Sequence, residues 1–122
     1  MLLQNFYKIK DSKTTEKGFI YSININEKHE VFKGHFPDNP VVPGVCLIQI
    51  IEELIELELK KELKLYKAGN IKFKAAVIPK SENIINFEYE LNFIETSNLI
   101  VKCEISDSER IYMSFKGEFN IV

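Results

Sequence analysis

The chain has 122 residues, 45% of them hydrophobic and 28% charged, with a formal net charge of -2 and a pI near 5.7. That length suits one domain, residues 1–122, around one buried core, and the composition excludes a disordered or a membrane-embedded chain. A single arginine, Arg110, and the lack of any basic excess exclude a nucleic-acid partner.

The opening MLLQNFYKIKDSK turns polar within a few residues. It carries no long apolar run and no small-residue cleavage site, and no later stretch is long enough to span a bilayer, so a cytoplasmic location is expected. In GFIYSININ, Phe19, Tyr21, Ile23 and Ile25 alternate with polar or smaller neighbours, the period of a strand with one buried face. His29 follows among charges, in NEKHE, and reads as a solvated strand or loop residue. Next comes a proline-rich loop, GHFPDNPVVPG, holding the second histidine, His35.

From Val45 to about Leu65 there is neither proline nor glycine, and Leu, Ile, Glu and Lys dominate, which predicts one long helix. Its first turns are apolar nearly all round and its end is charged, so burial should fade along its length. One polar stripe, Gln49, Glu52, Glu53 and Glu56, runs along a side at spacings of three and four. Glu52 and Glu56 read as a solvated face.

Period two then returns in four runs: Ile71 to Val77, Ile85 to Phe93, Leu99 to Ile105 and Ile111 to Phe119. The breaks between them are short and turn-rich, which predicts four consecutive strands as antiparallel neighbours. Cys46 and Cys103 each fall in an apolar pattern and are expected as free, buried thiols, with no metal site. The whole is an α+β domain in which a curved antiparallel sheet wraps one long central helix.

That order of elements, and above all His35-Phe36-Pro37-Asp38-Asn39-Pro40-Val41-Val42-Pro43-Gly44-Val45, resembles the 3-hydroxyacyl-acyl-carrier-protein dehydratases, which have the hotdog fold. Their signature is His-Phe-Pro-Gly-x-Pro-x-x-Pro-Gly-Val followed by a helix. IKFKAAVIPKSEN looks like the family's next strand, with Lys80 and Ser81 where Gly-Asp is usual. The resemblance implies dehydration of a 3-hydroxyacyl thioester carried by acyl carrier protein or coenzyme A, in fatty-acid or related lipid synthesis, without a cofactor. His35 would be the base that takes the C2 proton, its unperturbed pKa of about 6.5 leaving neutral imidazole available. Phe36, Gly44 and Val45 would bind the substrate, the N–H groups at the helix start meeting the thioester oxygen. The resemblance also implies a homodimer or a dimer-based oligomer, with the histidine of one subunit facing the acid arm of the other. Pairing of the two helices would cover an apolar Ile48-Ile51-Ile55 surface. Lys33, Lys72, Lys74 and Lys80 are candidates for recognising an acyl carrier protein.

One position breaks the pattern. The family's acid stands five residues after the Pro-Gly glycine, with a glutamine four residues later; here those places hold Gln49 and Glu53, the two side chains exchanged. An amide positions a hydroxyl but cannot protonate it. Glu53, about 6 Å further along the helix axis, would supply a proton through Gln49 or a water. Alternatives are a degenerate site that binds acyl thioesters without turnover, or a hotdog thioesterase. A Glu53 that only anchors a dimer contact or faces solvent also remains open.

Overall fold

The computed structural model describes residues 5–34, 38–80 and 82–122. His35, Phe36, Pro37 and Ser81 lie outside the described residues, so the expectations placed on His35 and Phe36 have no structural counterpart. The elements are β1 (Tyr7–Thr14), β2 (Gly18–Ile25), a single turn α1 (Val31–Gly34), α2 (Gly44–Leu59), β3 (Leu63–Phe73), β4 (Ile85–Phe93), β5 (Asn98–Ser106) and β6 (Ile111–Ile121). The six strands form one antiparallel sheet in the order β1-β2-β4-β5-β6-β3, and this is the hotdog arrangement of sheet around helix.

The period-two pattern is realised most cleanly in β2, whose residues alternate half-buried and buried along its whole length. The inward rows of β2, β4, β5 and β6 present Phe19, Ile23, Phe87, Tyr89, Val101, Met113 and Phe115 to α2. Ile50, Ile51, Leu54 and Ile55 answer them from the helix, each 0% exposed. Burying each such side chain contributes about 1.5–3 kcal/mol. Tyr89 also donates a 2.9 Å hydrogen bond to the Ile51 carbonyl, fixing the helix against the sheet.

Five expectations need correction. Burial along α2 is deepest in the middle, from Ile50 to Ile55, while Val45 at the start is 73% exposed. Ile51 and Ile55 are covered by the chain's own sheet, so they offer no surface for a second helix. The helix ends at Leu59, six residues early: Lys60 takes the left-handed conformation (φ 55°, ψ 42°) and its N–H bonds back to the Glu56 carbonyl. The Glu56 carboxylate then accepts the Leu63 N–H at 2.8 Å, so this side chain leads the chain into β3 and is not simply solvated. Lastly, β3 begins at Leu63 and pairs with β6 at the far edge of the sheet rather than with β4, while Ala75 and Val77 lie beyond its end.

β1 had no sequence-based expectation. Only Tyr7 in it is buried; Ile9 is half-buried against the core, and the remainder, Lys8 and Lys10 to Thr14, is polar and open, the decoration of an edge strand. The turn into β2 closes on Gly18, where any Cβ would stand 2.1 Å from the Tyr89 carbonyl oxygen, so no side chain fits. No helix among the described residues is long and apolar enough to cross a membrane.

Candidate active site

Val42, two residues before α2, is held in place by a neighbouring segment. Val42 N–H bonds to the Val77 carbonyl at 2.8 Å, joining the proline-rich loop to the segment that follows β3. Pro43 caps the helix without a side-chain hydrogen bond, and the Cys46 and Leu47 N–H groups both turn back to its carbonyl. The N–H groups of Gly44 and Val45 therefore open the helix with no partner inside it. An open groove of about 620 Å³ adjoins this start, with Val42, Gly44, Leu47, Phe73 and Val77 among its walls. Gly44 fits beneath Phe73, whose ring lies 2.8 Å from where a Cβ would be.

Further along α2, the row Val45, Gln49, Glu53 passes from exposed through half-buried to buried. These positions are four apart and share a face. Glu53 is 3% exposed, and burial of a carboxylate is tolerated only with hydrogen-bond partners. Gln49 Nε2 donates to Glu53 Oε2 at 2.9 Å, and Tyr7 Oη donates to Glu53 Oε1 at 3.0 Å. The expected proximity of Gln49 and Glu53 is thus a direct contact, with the carboxylate accepting. Burial first, then the charge of Glu53 and the hydrogen bond to it, push the Tyr7 phenol far above its usual pKa, so it remains a donor.

Tyr7 was missed by sequence reasoning. It lies 46 positions before Glu53, and the only signal was the Phe6-Tyr7 pair between polar neighbours, Gln4-Asn5 before it and Lys8 after it. On the same stripe, Glu52 is half-buried; burial and the carboxylates of Glu56 and Glu53 raise its pKa, partly offset by the Leu65 N–H. His29 is less solvated than expected. Its Nδ1 accepts the Val31 N–H at 3.1 Å, capping α1, and its ring meets Phe6 edge-on at 5.2 Å.

Both cysteines are free. Cys46, in the first turn of α2, is half-buried, and burial raises its thiol pKa; Cys103 is buried in the core and raised further. Neither has the character of an activated nucleophile. Among the described residues no group of three or more His, Cys, Asp or Glu is placed to hold a metal ion.

Comparison with known proteins adds three findings. Residues 11–116 match the family described as ApeI-like, ApeI dehydratase. The chain is 31% identical over 96 residues to the 3-hydroxyacyl-[acyl-carrier-protein] dehydratase FabZ of Lactococcus lactis subsp. cremoris, covering 73% of this chain and 63% of that protein. In several other such dehydratases the matched stretch is about half to two thirds of their length. Among solved structures, the dehydratase heterocomplex ApeI:P of Xenorhabdus doucetiae superposes with a TM-score of 0.73 at 15% identity, covering 93% of this chain and 96% of that one. A hypothetical thioesterase with coenzyme A from Streptococcus pneumoniae gives 0.63 at 12% identity, covering 98% and 91%. At such identities the likeness is one of fold.

Proposed function

The chain belongs to the ApeI-like dehydratase family, and from that premise we propose that it is a hydro-lyase, removing water from a 3-hydroxyacyl thioester or adding it to the enoyl product. The observation that carries this reading is the partly buried Gln49–Glu53 contact on α2, at the two places where the resemblance puts the acid arm, next to the helix start that follows the histidine loop.

His35 takes the proton from C2. Negative charge then grows on the thioester oxygen, and the open N–H groups of Gly44 and Val45, at the positive end of α2, are suited to receive it. The C3 hydroxyl leaves, held by Gln49, and the proton lodged on the imidazole returns to it, so that one water departs and no net proton is consumed. Assigning the return to the imidazolium, rather than to the relay through Glu53 expected from the sequence, is supported by the bonds from Tyr7 and Gln49, in both of which Glu53 accepts.

The substrate is a thioester of acyl carrier protein or coenzyme A, the location cytoplasmic, and the working unit a dimer or a dimer-based assembly. β3 favours pairing. It is an edge strand of 11 residues with Tyr66 and Phe73 exposed at 64% and 58%.

Hydration of a crotonyl thioester, followed by loss of enoyl absorbance, tests the reading. Turnover by the parent and a loss of about a hundredfold to ten-thousandfold in His35→Ala are expected. Acyl binding without turnover would make the chain a binding module instead, and release of free thiol would make it a thioesterase, the activity for which one fold neighbour is named.

A further inference from the structure

We infer that Tyr7 is a positioning residue which, through Glu53, decides which end of the Gln49 amide the substrate meets; the inference rests on the dehydratase reading above.

A glutamine amide has two ends of similar shape and opposite hydrogen-bonding character: NH2 donates and the carbonyl accepts. Left to itself in a half-buried position it could turn either way. Glu53 removes that freedom. Its Oε1 receives the Tyr7 hydroxyl and its Oε2 receives Gln49 Nε2, so the amide nitrogen is committed inward. The carbonyl, the other prong of the same planar group, is turned away from Glu53. Gln49 is half-buried where Glu53 is buried, so its amide is the outermost polar group of the chain Tyr7–Glu53–Gln49. It therefore offers an acceptor, suited to the O–H of a 3-hydroxyacyl chain or of the water that adds in reverse.

Tyr7 is the fixed end. It is 1% exposed, on a strand paired to β2, and as a buried phenol that stays protonated it donates to Glu53. The consequence is a reversal that simple structural support would not produce. In Glu53→Gln the Tyr7 hydroxyl still claims the carbonyl of the new amide. The NH2 of that amide then faces Gln49, which must turn its own carbonyl inward and its nitrogen toward the substrate. Removing the Tyr7 hydroxyl in that background frees the new amide to turn round and lets Gln49 return.

The experiment compares the parent, Tyr7→Phe, Glu53→Gln and the double variant, with thermal unfolding as a check on folding. The readouts are kcat and KM for hydration of the crotonyl thioester and the NMR signals of the Gln49 side-chain amide. Glu53→Gln is expected to lower kcat roughly a hundredfold with little change in KM, the scale of a misplaced group in a reacting geometry. Slow solvent exchange of the Gln49 amide is expected in the parent, where its nitrogen is bonded to Glu53, and should be lost in Glu53→Gln. In the double variant both kcat and slow exchange should recover in part. A double variant no faster than Glu53→Gln, in a parent that turns over, overturns the inference and leaves the reading of function intact. A parent that hydrates no thioester overturns that reading, and the amide signals alone then decide the orientation. Should Tyr7→Phe not fold, slow exchange retained in Glu53→Gln would be enough to sink the inference.

Discussion

The aromatic ring of Phe73, at the end of β3, occupies the space that a side chain on Gly44 would need, with ring carbons 2.8 Å from the absent Cβ. This contact ties the edge strand to the first residue of α2 and forms one wall of the groove at the helix start. Gly44→Ala should push the ring aside. Because Phe73 is 58% exposed it has somewhere to go, so the expected loss of stability is modest, about 1–2 kcal/mol, within the range for overpacking. Thioester binding should weaken with it. Unfolding at the parent's midpoint together with unchanged KM would show that the contact matters little.

The turn between β5 and β6 is built on Asp107, whose carboxylate accepts the Glu109 and Arg110 N–H groups at 2.8 and 2.9 Å and the Tyr112 hydroxyl. Partial burial pushes this carboxyl upward, but the hydrogen bonds from Tyr112, Glu109, Arg110 and Asn83 outweigh it and hold the pKa at about 2, below the ordinary 3.8. A depressed carboxyl stabilises the folded state fully above its unfolded value and ceases to do so as pH falls through the folded one. The window is therefore from about pH 4 down to 2. Titrating the Asp107 carboxyl carbon by NMR should give a midpoint near 2, with amide protection in the turn lost alongside; a midpoint near 4 would contradict the geometry.

His29 serves the chain where α1 begins, not the chemistry. His29→Ala removes the acceptor for the Val31 N–H and one ring edge against Phe6. A cost of about 1 kcal/mol is expected, typical of a lost cap, with kcat unchanged. His29→Asn, which keeps a short acceptor, should restore most of the stability. A large fall in kcat for either variant would mean that the wrong histidine has been assigned to the reaction.

Much of the architecture was legible because it is written in local pattern. The alternation of Phe19, Tyr21, Ile23 and Ile25 and the rows of β4, β5 and β6 need only a half-buried pleat to be read correctly. What was hidden depends on partners far away. Helix α2 stops at a lysine in a left-handed conformation, where the usual flag is glycine, so Leu63 and Leu65 looked like two more turns of helix. β3 was placed beside β4 because short connections favour neighbours, whereas β3 lies at one edge of the sheet and β4 in its middle. At the site, the contact of Gln49 with Glu53 followed from spacing on a helix. Tyr7 could not follow from any spacing, since it reaches Glu53 from a strand whose other residues, Ile9 apart, are those of a solvated edge.

That second edge of the sheet, β3, yields a prediction about assembly. Two bulges interrupt its ladder with β6, around Tyr66 and Gly69, and Tyr66 stands exposed. Sedimentation of the parent at micromolar concentration should give a dimer. Tyr66→Lys, which sets like charges against each other across paired edges, should raise the dissociation constant tenfold or more, about 1.4 kcal/mol, without altering the fold of the chain. A monomeric parent would remove the dimer from the proposal, and a dimer indifferent to Tyr66→Lys would move it to another face.

The exchanged pair on α2 allows the family's order to be restored. In Gln49→Glu combined with Glu53→Gln, Tyr7 can still donate to position 53, now the amide carbonyl, and the NH2 of that amide can donate to the new carboxylate at position 49. The bonds from Tyr7 to position 53 and between positions 49 and 53 both have counterparts, so the double variant should fold with a midpoint close to the parent's. A carboxylate would then stand where the resemblance puts the acid, one turn nearer the helix start. Turnover should be sustained or raised, because the arm regains a group able to carry a proton as well as to hold the hydroxyl. The single variant Gln49→Glu sets two carboxylates four residues apart on one helix face, one of them buried. It should cost stability and bind a proton between them, since like charges at that spacing repel. Hydration rates and unfolding midpoints of the parent, the single and the double variants separate the cases. A stable but inactive double variant, beside an active parent, would mean that the glutamine at position 49 is required for the chemistry of this chain rather than merely tolerated by it.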